Sequence, residues 1–157
     1  GLFCAERTLT RAEMGVFLGR ALHGSTFVPP PATGTRFADV PASYWAADWI
    51  EQIAADGITQ GCATSPARYC PAAQVARAEM AIFLLRARHG AAYMPPPATG
   101  TRFTDVPASY WAAAWIEQLA AEGITNGCDT NLYCPNKTVG RAEMAVFLTR
   151  AFNLTLP

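Results

Sequence analysis

Three arginines occupy the same place in a recurring tetrapeptide: Arg11-Ala12-Glu13-Met14, Arg77-Ala78-Glu79-Met80 and Arg141-Ala142-Glu143-Met144. Each falls where an apolar helical pattern begins, a position at which a cation opposes the helix dipole. Two explanations fit. Free N–H groups at a helix start and a guanidinium fork together make a receptor for a carboxylate. Ala76, which has no capping side chain, leaves space that a bound anion would fill. Alternatively, each arginine pairs with a carboxylate such as Asp39 or Asp105 and locks neighbouring segments together. Glu13, Glu79 and Glu143 read as structural groups of the helix starts. Two tryptophan pairs, Trp45 with Trp49 and Trp111 with Trp115, are each four residues apart. Their flat faces suit sugar rings, and equally suit a core.

Five cysteines are spaced as C-x7-C (Cys62, Cys70), C-x5-C (Cys128, Cys134) and a lone Cys4. Zinc knuckles use tighter pairs with further ligands close by, so disulfides are the favoured reading and no metal is expected. Disulfides imply an oxidising, extracellular location. No His and Asp constellation accompanies Cys4 to make it a catalytic nucleophile. His23 and His89 fall near helix ends and read as surface residues.

The elements that position these groups follow from an internal repeat. From Pro29 to Ala63, 29 of 35 positions are identical to Pro95–Asp129, an offset of 66 that falls to 64 after the cysteine loop. Cys4 aligns with Cys70, so its partner is expected upstream of residue 1. The chain opens mid-unit without a leader pattern, and more protein is expected before it. The units are 1–26, the back half of a first repeat; 37–92, a second; and 103–157, a third. Pro-rich connectors span 27–36 and 93–102 and are expected to run extended.

Each whole repeat reads as two helices around a stapled loop, which makes the fold all-α. The first helix is expected from about Ser43 to Asp56, with Asp39, Pro41 and Ser43 as start signals and Trp45, Trp49, Ile50 and Ile53 at helical spacing. Gly57 and Ile58 predict a Schellman stop with Ile58 against Ile53, repeated at Leu119, Gly123 and Ile124. The second helix is expected over Arg77–Arg88, with counterparts at Arg11–Leu22 and Arg141–Phe152. Thr10 and Glu13 form a capping box, and Gly24 and Gly90 terminate. Met14, Phe17 and Leu18, on a helix with no partner in its own half repeat, are expected to need cover from an upstream segment or a second chain.

In order, the motifs are Phe37-Ala38-Asp39-Val40, Trp45-Ala46, Gly57-Ile58, Gly61, Tyr69-Cys70-Pro71 and Ala76-Arg77-Ala78-Glu79. The second set is Phe103-Thr104-Asp105-Val106, Trp111-Ala112, Gly123-Ile124, Gly127, Tyr133-Cys134-Pro135 and Gly140-Arg141-Ala142-Glu143. This series resembles the S-layer homology repeat. The resemblance implies helical modules grouped around a pseudo-threefold core, with inter-repeat grooves that attach proteins to cell-wall polysaccharide, often one ending in a pyruvylated sugar. The glycan-binding candidates are Arg11, Arg77, Arg141, Asp39, Asp105 and the two residues that match the family tryptophan, Trp45 and Trp111, with Trp49 and Trp115 left to packing. The family threonine before Arg-Ala-Glu survives only as Thr10, and the paired cysteines depart from the general pattern.

The expected function is therefore a non-catalytic, cofactor-free anchor to envelope polysaccharide at the cell surface. A self-assembling subunit of a surface layer or filament, and the C-terminal anchor of an exported enzyme, are the alternatives. Zero formal net charge, without a basic stripe, argues against nucleic acid. No apolar run is long enough to span a bilayer. Carboxyl pairs could be drawn for glycoside hydrolysis, but they sit in repeated structural motifs. Asn136-Lys137-Thr138 and Asn153-Leu154-Thr155 match glycosylation sequons.

Overall fold

Met, Phe, Leu and Ala recur at helical spacing after each Arg-Ala-Glu, and in each copy the run winds into a helix. The computed structural model describes residues 4–154; residues 1–3 and 155–157, among them Thr155 of the second sequon and the outer ends of the first and last units, lie outside that range. The long helices are α1 (Arg11–His23), α3 (Arg77–His89) and α5 (Arg141–Phe152). They pack on one another around a common axis. Met14, Leu18, Met80 and Leu84 are fully buried there, with Met144 and Phe147 beside them.

Two shorter helices, α2 (Ala47–Ala55) and α4 (Ala113–Ala121), lie outside this bundle. Helix α2 packs on α1 and α4 on α3, so each short helix covers the long helix of the preceding unit. Close approach requires small residues below: a Cβ on Gly19 would meet the Trp49 ring at 2.7 Å. The apolar residues Met14 and Leu18 are therefore buried by α2 and the bundle, and Phe17 is half-buried. This corrects the expectation that α1 needs outside cover. Among the described helices it is α5 that carries no short partner.

Both short helices start later than the tryptophan pattern indicates. Tyr44 donates back to Pro41 and Ala47 to Tyr44, so the chain makes successive turns before Ala46 takes the N-cap. The stops follow the Schellman form. Ile58 N donates to Ile53 O at 3.0 Å and Ile124 N to Leu119 O at 3.1 Å, with Gly57 and Gly123 at φ 75° and 72°. A two-residue hairpin, β1 (Ala63–Thr64) and β2 (Ala67–Arg68), tips the second repeat's loop.

The three units close into a ring. Leu9 N donates to Val139 O, Val139 N to Val75 O, and Val75 N back to Leu9 O, at 2.8, 2.9 and 3.2 Å. Arg11 N to Ala73 O, Arg77 N to Lys137 O and Arg141 N to Arg7 O repeat the pattern one layer on, at 2.8, 2.9 and 3.0 Å. These bonds satisfy the orphan donors at the three helix starts, which is why Ala76 and Gly140 can stand where Thr10 caps. Thr10 itself completes its box with Glu13: Glu13 N donates to its hydroxyl at 3.3 Å and Thr10 N to the carboxylate at 3.1 Å.

Candidate functional site

The recurring arginines sit on this ring and point into the seams between units. Arg11 Nε donates to Tyr69 O at 2.9 Å, and Arg77 Nε to Tyr133 O at 2.7 Å. The same tyrosines return the bond through their hydroxyls, to Arg11 O at 2.7 Å and Arg77 O at 2.8 Å. Burial pushes both phenols well above their ordinary pKa and draws the Arg77 guanidinium down from its own. Each guanidinium also stacks on aromatic faces, Arg77 at 4.6 Å from Tyr133 and 5.5 Å from Phe147.

The carboxylate partners are the glutamates of the next unit. Arg11 pairs with Glu79 at 3.0 Å, Arg77 with Glu143, and Arg141 with Glu13 at 3.3 Å, so the ion pairs run round the ring as the backbone bonds do. Asp39 and Asp105 take a different post. Asp39 accepts from Tyr69 N and Cys70 N, both at 2.8 Å, and Asp105 from Tyr133 N and Cys134 N at 2.8 and 2.7 Å. They pin the stapled loops, whose cysteines are joined as Cys62–Cys70 and Cys128–Cys134. Cys70 and Cys134 have φ of 58° and 59°, and exposed Cys4, at 52°, takes the same turn. The only described cluster with metal-ligand types is Asp39 with Cys62 and Cys70, and its two sulfurs are bonded to each other.

One seam forms a groove of about 230 Å³, lined among others by Arg11, Gly61, Glu79, Phe83, Arg86 and Trp111. It unites two of the residues singled out in the sequence, Arg11 and Trp111. Trp111 and Trp45 are 62% and 64% exposed, because both lie in the turns ahead of their helices. Trp115 is buried and Trp49 packs on Gly19. Arg77 and Arg141 lie in the two other seams. The sequence reading missed Arg86, which stands over the Trp115 ring at 5.5 Å, and the interlocking glutamates. Its signal for the latter was available in the Arg-x-Glu spacing, but not which unit each side chain reaches. Nη2 of Arg11 and of Arg77 is buried with no hydrogen-bond partner among the described residues.

The histidines are also more engaged than their reading as surface residues. His23 Nε2 bonds Asp56 and His89 Nε2 bonds Glu122, each at 2.8 Å, and the rings stack on Phe27 and Tyr93 at 4.4 Å. They fasten the far ends of α1 and α3 to the short helices that cover them.

These features define a disulfide-stapled helical repeat domain whose units close head to tail around a pseudo-threefold axis. Residues 102–145 match the S-layer homology domain, so the third repeat is a module of that family. It is 25% identical over 152 residues to a cellulosome-anchoring protein of Acetivibrio thermocellus, covering 96% of this chain and 33% of that protein. An S-layer protein of Bacillus anthracis, EA1, is 38% identical over 60 residues, 38% of this chain and 7% of that protein. An amylopullulanase of Thermoanaerobacterium thermosulfurigenes is 30% identical over 145 residues, 91% of this chain and 7% of its own length. The chain thus spans a third or less of these relatives. It is a cell-surface module of the S-layer and anchoring kind. No described helix is long and apolar enough to cross a membrane.

Proposed function

We propose that this chain is a non-catalytic anchor that holds a larger protein to envelope polysaccharide, with the seam between Arg11 and Trp111 as its glycan groove. The observation that carries this reading is the groove itself, where Arg11 and Arg86 meet the exposed ring of Trp111. A sugar carboxylate such as a pyruvyl ketal suits this pair of guanidinium groups. Trp111 offers an exposed aromatic face at the rim, and Arg86 adds a second cation. Anchoring and S-layer proteins among the relatives support attachment at the surface. The amylopullulanase match covers 7% of that enzyme, which fits an appended module.

The test is co-sedimentation with bacterial cell-wall sacculi that retain their secondary polysaccharide. Trp111→Ala removes an exposed face, so it should lower affinity by about tenfold with thermal stability unchanged. Equal binding by the variant and the parent chain would refute the groove. A surface-layer subunit is the second reading. It is favoured by the α5 face, where Ala142, Ala145 and Val146 are exposed although the matching Ala78 and Ala81 on α3 are buried.

A further inference from the structure

The Pro-rich connectors are identical from Pro29 to Arg36 and Pro95 to Arg102, yet the grooves they form are not. Each connector lies across the outer face of its short helix. The second repeat's groove holds about 230 Å³ and the third's about 660 Å³. In the second repeat the space is occupied from within: Asp48 projects into it and accepts from Ala32 N at 2.7 Å. The third repeat has Ala114 at that place.

The connector backbone is the same in both. Thr33 N and Gly34 N donate to Glu51 at 2.9 and 2.8 Å, and Thr99 N and Gly100 N to Glu117 at 2.8 and 2.7 Å. Ala98 N therefore faces Ala114 as Ala32 N faces Asp48, and it makes no hydrogen bond among the described residues. Two further changes add donors. Arg36 donates to Ala54 O at 2.8 Å in the second repeat, whereas the Arg102 guanidinium has no such bond and lies along the groove. Asn131, in the shorter disulfide loop, brings an amide to the wall where the second repeat has Ala67. Arg102 and Asn131 thus line the groove where the sister groove keeps a carboxylate, and the unbonded Ala98 N lies in the connector between the lining residues Pro97 and Thr99. Glu117 also lines the space, but its oxygens are held by Thr99 and Gly100, and Asp48 already sits beside the equivalent Glu51.

We propose that the connector groove of the third repeat is a second carbohydrate site, separate from the seam at Arg11, that takes a sugar bearing a carboxylate. Asp48 is the internal stand-in for that carboxylate, and the sugar ring lies on Pro96, Pro97 and the Ala114–Ala121 face of α4. The third repeat binds from solution what the second repeat supplies from its own chain.

The experiment is an amide NMR titration of the whole chain with sodium D-glucuronate at constant ionic strength and pH 7, with D-glucose and sodium acetate as controls. Glucuronate should shift the Ala98 amide and the Asn131 side-chain amide saturably, and both controls should bind at least about tenfold more weakly. Ala114→Asp, which installs the second repeat's carboxylate at a helix first turn, should weaken glucuronate about tenfold or more. Absence of saturable shifts at Ala98, or the same affinity in Ala114→Asp, overturns the site. Acetate as tight as glucuronate overturns it as a sugar site. Trp111→Ala in the sedimentation assay reads the other groove alone, so either reading can fail without the other.

Discussion

Arg77→Ala removes more than a charge. The side chain is 1% exposed, its Nε serves Tyr133 O, its Nη1 meets Glu143, and its plane rests on Tyr133 and Phe147. Truncation leaves the Tyr133 carbonyl short of a donor inside the seam, a penalty of about 1–3 kcal/mol. The lost stem opens a cavity under two aromatic rings, adding about 2–3 kcal/mol. Glu143 is 27% exposed and can turn to water, so the loss of its partner adds little. The total is about 3–6 kcal/mol, or a fall in melting temperature of roughly 6–24 °C for a domain of this size. Scanning calorimetry on Arg77→Ala and Arg141→Ala reads it. Arg141 is 17% exposed, so its truncation should cost about half as much. Arg77→Ala melting within a degree or two of the parent chain would refute the structural role given to the buried arginines.

Two more outcomes follow from the same geometry. Burial works to raise the carboxyl pKa of Glu51 and Glu117, but the amides and hydroxyls of the Thr-Gly turns outweigh it and hold both below the ordinary value. Depressed carboxyl groups contribute stability above their unfolded pKa of about 4.3 and lose it as pH falls through the folded one. Denaturant melts should therefore weaken below about pH 4.3, and less steeply in Glu51→Gln/Glu117→Gln; equal slopes would count against the turn account. In Gly61, φ is 91° and an added Cβ would lie 2.2 Å from Arg68 O. Gly61→Ala should cost about 2 kcal/mol or more by urea unfolding, and a neutral result would show that the stapled loop can shift.

Local features were readable because their causes lie within a few residues. The Gly57-Ile58 and Gly123-Ile124 stops, the Thr10–Glu13 box and the long-helix spans depend on spacing of three to five positions. The split between exposed Trp111 and buried Trp115 came with the resemblance rather than from periodicity, since both share one helical pattern. What escaped the sequence is non-local. Arg11 reaches Glu79 across a separation of 68 residues, and Arg141 reaches Glu13 across 128. Asp39 looked like a helix-start signal because it precedes Ser43, yet its acceptors go to Tyr69 and Cys70, 30 and 31 residues on. Cover for α1 was sought elsewhere because a short helix was assigned to its own unit, whereas α2 reaches back to the one before.

The ring of Leu9, Val75 and Val139 has a bearing on how such proteins change over time. A linear stack of repeats has two frayed ends, and adding a copy lengthens it with little consequence for the rest. Closure removes the ends: each unit's ring residue donates to one neighbour and accepts from the other, so a fourth copy has no place to bond and a missing one leaves two edges bare. Number is fixed by geometry, and innovation is pushed outward to the short helices and stapled loops. That is where the copies differ most in what they offer to solvent, with Ala114 and Asn131 facing outward in one unit and Asp48 and Ala67 in the other.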